Sequence, residues 1–230
     1  HWVLANVLEK VPLHDAAHGF VAGRSIVTNA KPHVGRRVVI NLDLQDFFPT
    51  VSYARVWGLF RSLGYSPHIS TIFALLTTEP PIDEVELDQR TWYVTVGDRV
   101  LPQGAPTSPA ITNLICRKLD RRLLNVASVL DFHYTRYADD LTFSSNEADS
   151  KPVGTLLRRV RHIVTNEGFV VHPKKTKVLR RGRRQEVTGL TVNDQLSVDR
   201  AVLRRFRAAL HCAETKGPAA CTWGAEGVDT

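Results

Sequence analysis

Three aspartates stand where a purely structural sheet has no use for them. Asp43 falls inside an apolar run, Val38 to Leu44, that reads as a β-strand, and Asp139-Asp140 sit between two short β runs within residues 132–144. A buried carboxylate without a partner costs roughly several kcal/mol, so each needs a cation, a hydrogen-bond network or water. Two readings follow. Asp favours tight turns and tolerates a left-handed backbone, so the pair can be a turn and nothing more. Alternatively, strand and hairpin are neighbours and gather two or three hard oxygen ligands, the donor set that selects Mg²⁺. A pair of such ions activates an attacking hydroxyl and stabilises a leaving oxygen in phosphoryl transfer. Spacing alone leaves both open.

The elements around these residues alternate, so the class is mixed α and β. Ser52 caps a helix through Val56, Phe60 and Leu63 that ends at Gly64. Residues 92–101 are expected to form a hairpin turning at Gly97-Asp98. Ser108-Pro109 opens a helix carrying Ile111, Leu114, Ile115 and Leu119. A helix from Pro152 to Glu167 stops at Gly168, and a hairpin over 187–198 turns at Asn193-Asp194. The last helix starts near Asp199, with Val202, Phe206, Ala209 and Leu210 as its expected buried face; the tail after Lys216 carries no assignable element.

The 230 residues are 43% apolar and 23% charged, an ordinary globular composition that excludes disorder, collagen-like repeats and a disulfide framework. Cys116, Cys212 and Cys221 show no metal-binding spacing and fit a reducing cytoplasm. No apolar run is long enough for a membrane span, no signal peptide is apparent, and no membrane partner is expected. A chain that lacks methionine and opens at His1-Trp2 is expected to be a fragment. Charge is uneven: residues 1–150 hold 14 basic against 16 acidic side chains, whereas residues 151–211 hold 15 against 4. Such a segment is either a solvated face or a track for a polyanion beside a metal site.

Longer motifs around the aspartates resemble one family. Asn41-Leu42-Asp43-Leu44-Gln45-Asp46-Phe47-Phe48-Pro49 looks like the first catalytic motif of reverse transcriptases. The stretch from Leu101 to Pro109 is similar to their substrate-binding motif, and Tyr137-Ala138-Asp139-Asp140 to their YxDD box. Gly168-Phe169 followed by Lys174-Lys175-Thr176 resembles the motif bearing a phosphate-side lysine. Asn29-Ala30-Lys31-Pro32-His33 and Val187-Thr188-Gly189 match the NAxxH and VTG elements of bacterial retron-type enzymes, to which residues 18–26 are also similar. The resemblance runs over roughly residues 1–211, in order.

It implies an α+β right-hand polymerase fold with an antiparallel palm sheet packed on helices. Fingers would come from 1–35 and 52–103, palm from 36–51 and 104–196, and the start of an incomplete thumb from 197–230. Asp43, Asp139 and Asp140, assisted by the Leu44 carbonyl, would hold two Mg²⁺ ions, with Mn²⁺ as a substitute. The incoming nucleotide would meet Asp46, Phe47, Phe48, Gln103, Gly104, Lys175 (with Lys174 as the alternative) and Arg24. Phe48 would clash with a 2′-hydroxyl and so favour deoxynucleotides. Primer and template would meet Val187, Thr188, Gly189 and Leu190, the arginines Arg180, Arg181, Arg183 and Arg184, and the pair Asn29 and His33, the latter RNA-contacting or structural. The implied activity is RNA-directed DNA polymerisation on a structured noncoding RNA in phage defence. Its implied partners are that RNA, an RNA/DNA hybrid, deoxynucleoside triphosphates and an effector protein. The alternatives are another bacterial reverse transcriptase (group II intron-like, abortive-infection or CRISPR-associated) and a non-catalytic RNA-binding palm scaffold.

Overall fold

The computed structural model describes residues 1–146 and 150–217. Short helical pieces come first: α1 (Trp2–Asn6), a 3₁₀ turn (Leu8–Lys10), α2 (Ile26–Ala30) and a second 3₁₀ turn (Lys31–His33). Ser25 and Thr28 start α2 with a reciprocal capping box. Strand β1 (Val38–Asp43) follows, then α3 (Tyr53–Ser62) and α4 (Pro67–Thr77). Gly64, at φ +95°, ends the first of these helices, and Ser66 caps the second ahead of Pro67.

The chain next forms an exposed hairpin, β2 (Ile82–Leu87) and β3 (Arg90–Thr95). Its turn is Asp88-Gln89, both at positive φ, rather than the expected Gly97-Asp98. Every residue of both strands is exposed, so no buried face stamped an alternation on the sequence. Helices α5 (Ser108–Ile115) and α6 (Arg117–Val129) come next, parted at Cys116. The cap of α5 is Thr107, one residue before the expected Ser108, whose hydroxyl instead donates to the Pro102 carbonyl. Strands β4 (His133–Tyr137) and β5 (Asp140–Ser145), helix α7 (Ser150–Asn166) and strand β6 (Lys177–Arg180) complete the main body.

β7 (Glu186–Val187), β8 (Leu190–Thr191) and β9 (Ser197–Val198) form a small second sheet. The expected single hairpin over 187–198 is therefore two turns, the first at Thr188-Gly189, where both residues have positive φ. Helix α8 (Arg200–Lys216) is capped by Asp199, whose carboxylate accepts from the Ala201 N–H. None of its residues is buried, contrary to the expected buried face: Val202, Phe206 and Leu210 are all exposed. Periodicity reports that a helix has an apolar stripe, and leaves open what covers it. Tail residues 218–230, Cys221 among them, lie outside the described residues. Among the described residues, no helix is long and apolar enough to cross a membrane.

The main sheet is antiparallel throughout, in the order β4-β5-β1-β6. Its central strand obeys the period of two. Val38, Ile40 and Leu42 point into the main core with Leu141, Phe143 and the apolar faces of α6 and α7, including Leu119, Leu123, Leu156 and Val160. Val39 points the other way, into a smaller cluster with Ala30, Val187, Leu190 and Val192. Asn41 and Asp43 share that second side. Asp43 thus follows the strand's alternation instead of breaking it; a two-sided strand simply hides the pattern.

Candidate active site

Antiparallel register brings the carboxylates together. Asp43 is paired across the ladder with Asp140, Asn41 with Thr142, and Val39 with Ser144. Directly opposed residues share a face, so Asp43 and Asp140 project from the same side, away from the main core. Asp139 belongs to the turn between β4 and β5, and its carbonyl accepts the Leu44 N–H at 3.0 Å. Ala138 adopts φ +55°, which makes that turn tight enough to seat two consecutive aspartates at the strand end.

Like charges directly opposed in a sheet repel. Burial, then Asp139, then Asp43 push the Asp140 carboxyl up to about 6. Burial foremost, with Asp43 adding to it, also raises Asp139. The nearest compensating cation is Lys175, whose ammonium lies 3.3 Å from Asp43 Oδ2. Among the described residues, no three carboxylate, imidazole or thiol groups are already closed into a metal cage. The donor chemistry nonetheless fits a hard divalent ion: three carboxylates at one sheet end, two of them held above their ordinary range by burial first and by one another's charge second.

A segment after α7 delivers Lys175. Gly168, at φ +75°, turns the chain, and its carbonyl and that of Glu167 accept from Arg55. Residues 170–172 then run beside the end of β1: Gln45 N–H donates to Val170 O and His172 N–H to Asp43 O, each at 2.8 Å. Phe169 is buried against Phe47, with ring centroids 5.7 Å apart. Lys175 is thereby carried onto Asp43, and Lys174 provides only the N–H that meets His172 Nδ1.

A cleft of about 330 Å³ opens on this face, lined by Asn41, Asp43, Asp140, Lys175, Lys177 and Thr188 among others. Thr142 and Lys177 were absent from the residues singled out by sequence, and Asn41 stood there only as the first residue of a motif, with no role. Asn41 and Thr142 stand two residues from Asp43 and Asp140 along their strands, which is the signal that would have found them, and Lys177 opens β6 opposite Asn41.

The remaining expected residues divide. Phe48 is half-buried, 5.5 Å from Phe47 between ring centroids, whereas the Phe47 side chain is buried in the core. Asp46 is exposed, at φ +46°, in the turn that Thr50 closes on its carbonyl. Gln103 and Gly104 lie exposed on the loop before α5, tied back by the Leu101 N–H donating to Val51 O. Gln103 shares a second cavity, about 580 Å³, with Pro49 and Leu101. Arg24 is turned to its own loop, where it donates to the carbonyls of Asp15 and Ala17 and pairs with the Asp15 carboxylate.

Four residues expected on the primer or template are buried instead. Asn29 and His33 have no exposed surface, and Val187 and Leu190 fill the smaller core. Asn29 Nδ2 lies 3.4 Å from the Thr188 hydroxyl, so the two retron-like elements meet each other. His33 bridges Ser144 (2.6 Å) and Thr135 (2.8 Å). It is structural. Thr188 and Gly189 alone of the VTG turn and its neighbour Leu190 line the cleft. In the basic run, Arg181 pairs with Asp194, and Arg184 with Glu186 and Asp199. Arg180 and Arg183 are exposed.

The family described as reverse transcriptase (RNA-dependent DNA polymerase) matches residues 2–195. The retron Mx162 reverse transcriptase of Myxococcus xanthus is 52% identical over 224 residues, covering 91% of this chain and 46% of its own. The retron Mx65 enzyme of the same organism is 50% identical, with coverages of 91% and 48%. The retron Ec86 reverse transcriptase of Escherichia coli is 36% identical, with coverages of 91% and 60%. The chain thus spans about half the length of the first two relatives. Among solved structures, an apo telomerase from Candida tropicalis truncated of its C-terminal domain superposes with a TM-score of 0.52 at 12% identity, over 76% of this chain and 38% of that one. At that identity the likeness concerns the fold, the right-hand polymerase architecture. The chain belongs to the reverse transcriptase (RNA-dependent DNA polymerase) family, in its bacterial retron-type branch.

Proposed function

We propose that this chain carries the catalytic centre of an RNA-directed DNA polymerase that copies a structured noncoding RNA into DNA. The observation that carries the proposal is the register of β1 on β5, which opposes Asp43 to Asp140 and ties Asp139 to Leu44 at the mouth of a cleft. In this reading Asp43, Asp139, Asp140 and the Leu44 carbonyl hold two Mg²⁺ ions. Bound there, the ions lower the pKa of a primer 3′-hydroxyl and offset charge on the nucleoside triphosphate. The hydroxyl loses its proton to water, its oxygen bonds to the α-phosphorus, the bond to the bridging oxygen breaks, and pyrophosphate leaves. Lys175 neutralises that leaving group, Phe48 excludes a 2′-hydroxyl, and Gln103 with Gly104 borders the base and sugar. Thr188 and Gly189 face the primer end, and the exposed arginines of 151–211 follow the hybrid's phosphates. Residues 1–35 and 52–103 act as fingers, 36–51 and 104–196 as palm, and α8 begins the thumb. A role in phage defence with an effector protein is part of the same proposal, supported by the retron-type resemblance alone.

Primer extension on an RNA template with Mg²⁺ tests the proposal. Wild type should incorporate deoxynucleotides in preference to ribonucleotides, and Asp139→Asn should abolish synthesis while keeping RNA affinity. Equal extension by both proteins would sink it.

A further inference from the structure

Beneath the Ala138–Asp139 turn lies a charged cluster with no part in the chemistry above. Arg136 and Asp120 are both 0% exposed. The guanidinium grips Asp120 with two parallel bonds of 2.8 Å, Nε to Oδ1 and Nη2 to Oδ2. Its remaining nitrogen, Nη1, donates to Asn113 Oδ1 at 2.9 Å and to the Ala138 carbonyl at 3.0 Å. Tyr134 donates its hydroxyl to Asp120, and Asn113 Nδ2 donates to the Gly19 carbonyl at 3.0 Å.

The turn is held from its other side as well. Arg136 N–H donates to Ala16 O, and His18 N–H to Arg136 O, each at 2.7 Å. Gly19 then lies so close to the turn that a Cβ there would sit 2.5 Å from the Ala138 nitrogen. Ala138, a non-glycine residue at φ +55°, is fixed between the arginine fork below and the glycine backbone beside it.

A buried ion pair is a weak source of net stability, since apolar residues of like volume often replace it without loss. What an apolar replacement cannot do is donate to the carbonyl immediately before Asp139. We infer that Arg136 is a positioning residue for the reaction: with Asp120 orienting it, it fixes the left-handed turn that aims Asp139 and Asp140 into the cleft. The inference rests on the polymerase reading, in which those carboxylates hold the metal. Outer partners of metal ligands typically change affinity or rate by about 10- to 100-fold when removed.

Three variants of the full-length protein test it: Arg136→Lys, Arg136→Met combined with Asp120→Leu, and Gly19→Ala, which touches no charge. An ammonium cannot bond both Asp120 oxygens and Ala138 with the geometry of a planar fork. Folding is followed by circular dichroism melting, extension by single-turnover kinetics, and metal affinity by Mn²⁺ titration in electron paramagnetic resonance. In folded variants, the extension rate should fall about 10- to 100-fold with a smaller change in nucleotide KM, and Mn²⁺ should bind at least about threefold more weakly. A folded variant with wild-type rate and wild-type Mn²⁺ affinity overturns the inference. So does loss of fold in all three, which would assign the cluster to folding alone. If wild type itself fails to extend, the polymerase reading fails, while the Mn²⁺ comparison still decides whether Arg136 positions the carboxylates.

Discussion

Acid should destabilise this protein through His33. The imidazole is buried, bonded to Ser144 and Thr135, with His133, Arg36 and His18 close by. Burial first, then those cationic neighbours, lowers its pKa from 6.5 to about 3. The unfolded chain therefore binds a proton between those values that the folded chain refuses, so stability is full above about pH 6.5 and falls as pH drops towards 3. At pH 5, an unfolded group at 6.5 lies about 1.5 units on its protonated side, which at about 1.36 kcal/mol per unit is a loss of about 2 kcal/mol. The figure is insensitive to the folded value so long as that stays well below 5. Replacing His33 with Gln removes the term and leaves every other titrating group in place. Urea unfolding of both proteins at pH 7 and pH 5 should show the variant's deficit shrinking by about 2 kcal/mol at the lower pH. A deficit that stays constant would refute the reasoning, placing the ring either in contact with solvent or already charged.

Other consequences follow from the same geometry. Asp120→Ala leaves the Arg136 charge buried and unpaired, and chemical denaturation should show a loss of about 3–5 kcal/mol; a loss below 1 kcal/mol would mean that water reaches the site. On the proposed chemistry, Phe48→Val should raise ribonucleotide incorporation relative to deoxynucleotide by at least about tenfold in single-nucleotide extension, and unchanged selectivity would remove Phe48 from the gate. Lys175→Gln should lower the extension rate by about 10²-fold or more if the ammonium serves the leaving group. A defect confined to RNA binding would move it to the template instead.

The sequence exposed some of this design and concealed the rest for physical reasons. The strand bearing Asp43 and the two runs flanking Asp139-Asp140 stand as expected, because apolar runs broken by turn residues mark strands whatever covers them. Register was beyond reach, and register is what opposes Asp43 to Asp140. The Asp88-Gln89 turn contains no glycine and joins strands exposed on every side, so neither turn chemistry nor burial marked it. Asn29 and His33 carry polar side chains that suggest a surface, yet both are buried with polar partners on distant elements. Asp120 was findable: it falls in helical register with Leu123 and Ala127, on the face a soluble helix hides. Arg136 offered no such clue, since both sides of β4 are buried.

The order of the main sheet also sets when the catalytic centre can exist at all. Strand β1 leaves the ribosome well before its two neighbours, β5 and β6, with Asp43 awaiting Asp140 and Val38 awaiting Arg180. Pairings across such sequence distances form late, because the closure entropy of a long loop is lost before any contact offsets it. At about 5–20 residues per second, the nascent chain spends several seconds or more with β1 lacking both partners. During that interval both of its backbone edges are unpaired and its apolar face, Val38, Ile40 and Leu42, is uncovered, so it is open to wrong strands. A ribosome stalled before residue 140 would therefore hold a chain with no catalytic centre and an aggregation-prone strand, and chaperone demand should peak in that window of synthesis.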